Sequence, residues 1–179
     1  MRPLRAPARK GTSEDAPSRR FARRFLFVLA LLIGIVAGLR TMTAPAAVAW
    51  AAYNGWLPVH GTLLGFLGHW IAPPLLTILA AVELVVDLLP GTPSRTAPTQ
   101  FGARIVSGGV AGAALGASGD APLMIVGLVA GVIGAGLGTL GGGAARGRVA
   151  AALDGDLPAA LIENVVAIVG ACLIVQLAR

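Results

Sequence analysis

The strongest constraint on this chain is a succession of long apolar runs, at residues 25–39, 44–57, 71–89, 101–118, 121–140 and 158–177, separated by short breaks. None has the alternation of a half-buried strand or the single apolar stripe of a soluble helix. A membrane span needs about 20 residues to cross roughly 30 Å at 1.5 Å each. The last four runs meet that need and the first two fall short. Charged residues make up only 12% of the chain, against about 25% in a soluble domain. The predicted fold is therefore an all-α integral membrane bundle of about five or six transmembrane helices.

The formal charge of +6 does not alter that class, because it is confined to one end. Residues 1–24 carry eight arginines and lysines against Glu14 and Asp15, and the rest of the chain carries six arginines against six acids. No basic groove for nucleic acid is left on the body. Residues 1–24, rich in Arg, Pro, Ser and Ala, have no hydrophobic period and are expected to be a disordered tail. Their charge holds the N-terminus in the cytoplasm, and residues 25–179 form the polytopic domain.

The number of crossings turns on the first two runs. Joined through Arg40-Thr41-Met42-Thr43 they make 33 residues, 25–57, which reads as one broken or steeply tilted element. Arg95, in the loop 91–100, and Arg146 and Arg148, before Asp154, favour the cytoplasm for their loops. That vote gives five crossings with the C-terminus outside. Six crossings with both ends inside is the alternative.

Glycine predicts how the helices meet, since lipid supplies no hydrophobic force between them and close backbone approach must do so. Gly108, Gly112 and Gly116 form one four-residue ladder, and Gly127/Gly131, Gly134/Gly138 and Gly138/Gly142 form others. Such faces fit helix packing or a homo-oligomer. Gly141-Gly142-Gly143 is expected to end a helix.

Ionisable groups within apolar runs are candidates for function. Glu83 and Asp87 are four apart, on one helix face. Glu163 stands beside Asn164 early in the last run, Arg40 interrupts the first, and Arg104 lies near the start of the fourth. An arginine and a carboxylate make a bidentate pair of fixed geometry, so these six residues are either transport groups or structural ion pairs. Cys172 is alone, and His60 and His69 have no second ligand cluster, so no metal or cofactor site is expected. No nucleophile triad, HExxH, P-loop or dinucleotide fingerprint occurs, and the chain does not read as an enzyme. A faint duplication relates Arg40 to Arg104 and Glu83 to Glu163, in the same order, as in transporters built from repeats.

The stretches GLRTMTAPAAVAWAAYNGWL, ELVVDLLPGTPSRTAP and LPAALIENVVAIVGACLIV resemble a family of small bacterial membrane proteins, domain of unknown function 4126, over about residues 25–178. The resemblance implies a multi-pass inner-membrane protein with no assigned activity. The family's last motif commonly reads Glu-Asp, where this chain has Glu163-Asn164. Two functional readings follow. One is a small-solute or ion transporter using Glu83 and Glu163 with Arg40 and Arg104 as counter-charges. The other is a non-catalytic scaffold or partner subunit in which the same residues are structural pairs.

Overall fold

The computed structural model describes residues 15–87, 97–117 and 121–179. These form six helices: α1 Asp15–Leu39, α2 Thr43–Tyr53, α3 Ala72–Val86, α4 Pro98–Gly116, α5 Ala121–Ala152 and α6 Asp156–Leu177, with a 3-10 turn at Gly65–Gly68 before α3. No strand occurs among the described residues. Arg20–Leu39, Pro122–Ala152 and Asp156–Leu177 are long and apolar enough to cross a membrane, and Ala72–Val86 is a shorter apolar helix.

Proline and glycine set several of these boundaries. Prolines lie in the first turns of α3, at Pro73 and Pro74, and of α4, at Pro98, where the missing N–H has no intrahelical partner to lose. Helix α5 ends in a left-handed residue, Asp154, at φ 51°. The Gly155 N–H then reaches back to the Ala150 carbonyl at 3.0 Å, the six-to-one bond that closes a helix C-terminus. Gly141-Gly142-Gly143 does not end α5, which continues through it to Ala152. The helical bonds supply the only partners a backbone can find away from water, and that requirement outweighs glycine's weak propensity. Helix α1 likewise begins at Asp15, so residues 15–24 are helix where a disordered tail was expected; residues 1–14 lie outside the described residues.

Close glycine contacts define the core and its directions. Gly108, Gly112 and Gly116 of α4 face Gly131, Gly127 and Leu123 of α5, in that order, so the two helices are antiparallel. Leu31, Ile35 and Leu39 of α1 meet Gly134, Gly138 and Gly142 of α5, so these two are parallel. The glycine ladders are thus helix interfaces, and α1 contributes Gly34 and Gly38, which abut Gly131 and Ala135. Helix α6 returns antiparallel to α5, with Asp156 paired to Arg146, Glu163 beside Gly142, and Gly170 beside Val36 of α1.

Helix α2 folds back instead of continuing α1. Its Thr43, Ala46, Ala47 and Trp50 share a groove with Ile168, Ala171 and Cys172 of α6. Beyond its end, Trp56 lies under the Arg179 guanidinium, 5.0 Å from the ring centre. Because α6 runs away from Arg40 past Val36, α2 must run the same way, beside α1. Helix α3 then climbs again: Trp50 Nε1 donates to Thr77 Oγ1 at 3.0 Å, and Thr77 donates to the Pro73 carbonyl at 2.7 Å.

Residues 25–57 therefore hold two antiparallel helical limbs and not one bent or tilted element. The six helices alternate in direction, with the start of α1 and the end of α6 at the same end of the bundle. Arg146 and Arg148 lie at the opposite end from Arg20, Arg23 and Arg24, which contradicts the sequence-based vote placing both sets on one side. Arg95 lies outside the described residues.

A Cβ built on Gly131 overlaps the Gly108 carbonyl and comes within 3.1 Å of Gly112 Cα, whereas one on Gly141 meets nothing within 4 Å. Gly131→Ala is therefore expected to destabilise the detergent-solubilised protein by about 1–3 kcal/mol. Gly141→Ala should leave it unchanged or stabilise it by up to about 1 kcal/mol. Thermal unfolding of the two variants checks this contrast.

Candidate functional site

The reversal between α1 and α2 exposes two helix ends to each other's neighbourhood. A helix end leaves unsatisfied carbonyls or N–H groups, and satisfying them is costly to omit where water is scarce. At the end of α1, Arg104 Nη1 donates to the Gly38 carbonyl at 2.5 Å and the Leu39 carbonyl at 2.8 Å. The Thr139 hydroxyl lies 3.3 Å from the same Gly38 oxygen while donating to Ala135 of its own helix at 2.8 Å. At the start of α2, the Glu83 carboxylate accepts the Thr41 N–H at 2.6 Å and the Met42 N–H at 2.7 Å, one on each oxygen. Ser107 Oγ donates to the Thr41 carbonyl between them. A cation thus sits at a helix C-terminus and an anion at a helix N-terminus, the arrangement each dipole favours.

Arg40, between the two ends, is fully buried. Its Nη1 is ion-paired with Asp87 Oδ2, and its Nη2 lies 4.0 Å from Glu163 Oε2. Glu163 is shared, for the same Oε2 stands 3.6 Å from Arg146 Nη1. Arg146 makes a bidentate pair with Asp156, Nε to Oδ1 at 2.9 Å and Nη2 to Oδ2 at 2.5 Å. Glu163 thus faces two arginines, Arg40 and Arg146. It lines a cleft of about 170 Å³ with Arg146, Leu39, Gly142 and Val166. Asn164 is buried next to it, and its Oδ1 has no hydrogen-bond partner among the described residues.

All six sequence candidates belong to this end of the bundle. Arg40, Glu83, Asp87, Arg104 and Glu163 join one charged layer, and Asn164 adjoins it. Sequence reasoning missed Ser107, Thr139 and the Arg146–Asp156 pair as members. Arg146 was legible only as a loop charge, because α5 was expected to stop at the triple glycine.

The pairing of Arg40 with Arg104, and of Glu83 with Glu163, is not a structural duplication. Arg40 follows the end of α1 and Arg104 lies near the start of α4, while Glu83 is in the last turn of α3 and Glu163 about two turns into α6. Repeated units would place each pair at equivalent points of equivalent helices. Among the described residues no group of three His, Cys, Asp or Glu side chains is placed to hold a metal ion. No protein-family model, curated protein or solved structure matches the chain.

Removing either cap strands backbone groups that it now satisfies. Arg104→Met is expected to cost about 2–4 kcal/mol, since two carbonyls lose charge-assisted bonds. Glu83→Gln, which keeps one acceptor, should cost about 1–2 kcal/mol and Glu83→Leu more. Thermal unfolding ranks the three, and amide exchange at Thr41 and Met42 should speed up in Glu83→Leu and not in Gly141→Ala.

Proposed function

We propose that this chain is a multi-pass protein of the bacterial inner membrane, of the domain of unknown function 4126 kind, acting as a non-catalytic scaffold or partner subunit. Six crossings with both termini in the cytoplasm are the topology that the alternating helix directions support. The basic start of α1 favours that orientation. The observation that carries the structural reading is where the charges are used: Arg104 and Glu83 are committed to helix ends, and Asp87 to Arg40.

The position of the layer supports the same reading. The fifteen residues of α1 from Phe25 to Leu39 rise about 22 Å, so Arg40 lies toward the far edge of a hydrocarbon layer about 30 Å thick. Transport sites built from broken helices lie near the midplane. A second reading, transport of a small solute or ion, is favoured by one feature, the placement of Glu163 in a cleft with Arg146. In that reading Glu163 is the exchangeable acid and Glu83 is structural.

Flux across proteoliposomes separates the two. The scaffold reading predicts no protein-dependent movement of protons, alkali cations or small anions by wild type, and a lowered unfolding temperature for Glu83→Gln. Protein-dependent flux that Glu163→Gln abolishes, without lowering the unfolding temperature, would contradict it and establish transport.

A further inference from the structure

One end of the bundle carries positive charge for which the charged layer has no use. Helix α1 is continuous from Asp15 into its apolar segment, and Arg20, Arg23 and Arg24 are all exposed on it. The spacing i, i+3, i+4 puts the three guanidinium groups on one face, a single turn before Phe25. None of the three is ion-paired among the described residues. Phe21 and Phe25 stack on the adjoining face, with ring centres 6.4 Å apart and planes 6° from parallel.

The same end gathers aromatic and basic groups from elsewhere. Arg179, at the foot of α6, lies over Trp56, and Phe66, within the 3-10 turn, and Trp70, just after it, are exposed. Every acid whose side chain is described, namely Glu83, Asp87, Asp154, Asp156 and Glu163, belongs to the opposite end of the bundle. Aromatic rings that are apolar at one edge and polar at the other favour the membrane–water boundary. Arginines one turn beyond such a boundary sit at the depth of lipid phosphates.

We infer that Arg20, Arg23 and Arg24 form an anionic-phospholipid surface on the basic end of α1, binding headgroup phosphates of the adjacent leaflet. Charge complementarity selects the occupant. The planar guanidinium donates two parallel N–H bonds to a phosphate, and the neighbouring Phe21 and Phe25 rings and exposed Val28 offer apolar surface for the attached acyl chains. The inference rests on the membrane reading above, and its test tells the two apart.

The full chain is reconstituted with mixtures of unlabelled lipid and either brominated phosphatidylglycerol or brominated phosphatidylcholine, and tryptophan fluorescence is read. Trp50, Trp56 and Trp70 all lie from α2 to the start of α3 and report on nearby acyl chains. Phosphatidylglycerol is expected to be preferred at least about threefold, with the preference weakening as salt screens the charges. In Arg20→Gln/Arg23→Gln/Arg24→Gln the preference should fall to near unity, while Arg148→Gln, at the other end, keeps it.

Equal quenching by both lipids in wild type overturns the proposal while leaving membrane insertion intact; quenching by neither overturns the membrane reading itself. A preference that survives the triple substitution, or that is insensitive to salt in wild type, also overturns it. So does loss of the preference to inorganic phosphate beyond the effect of chloride at equal ionic strength, which would mark a free-anion site. Should the triple variant fail to fold, the salt and phosphate series on wild type decide alone.

Discussion

The architecture depends on reversing a helix where its backbone cannot turn to water. Between Leu39 and Thr43 the chain stops one helix, turns, and starts another alongside it. Two carbonyls and two N–H groups lose their helical partners there, and charged side chains from α4 and α3 take them up. Those helices are far away in sequence, so the reversal is stable only once they have packed. The caps therefore couple the first two helices to the third and fourth, and Arg40 extends the coupling to α3 through Asp87 and to α6 through Glu163.

Glycine makes that arrangement geometrically possible. Helix α5 presents Gly127 and Gly131 to α4 and Gly134 and Gly138 to α1, so three helices approach at backbone distance. Their closeness brings Arg104 onto the end of α1 and Thr139 beside the Gly38 carbonyl. A Cβ at Gly131 or Gly138 would separate the helices, and the side chains of the charged layer would lose their reach. Helices α2, α3 and α6 lean on this core more loosely and enclose an apolar groove of about 280 Å³ beside Thr43 and Trp50.

Much of this was legible in the sequence, and what was missed has identifiable causes. The four-residue glycine spacing announced the interfaces, because spacing alone fixes which residues share a helix face. The rarity of ionisable groups in apolar runs singled out Arg40, Glu83, Asp87, Arg104, Glu163 and Asn164. The direction of α2 was not legible: 33 residues interrupted by Arg-Thr-Met-Thr fit a bent helix or a reversal equally, and the difference lies in caps supplied by residues 41 to 66 positions away. The same reversal puts Arg146 and Arg148 at the end opposite to Arg20, since each change of helix direction switches the end of the bundle at which every later loop falls. The length of α5 was misread because three glycines carry a stop signal in water that weakens where backbone groups have no solvent to bond.

The central claim, that α2 returns beside α1, is tested most directly by sidedness. In a Cys172→Ala background, single cysteines at Ala22 and Leu63 are challenged with a membrane-impermeant maleimide in spheroplasts and in inverted vesicles. Leu63 follows α2 and is 91% exposed. A reversal at Arg40 predicts that both cysteines react from the same side of the membrane. Labelling of Leu63→Cys from the side opposite to Ala22→Cys would mean that the chain crosses once between them, and would contradict the account.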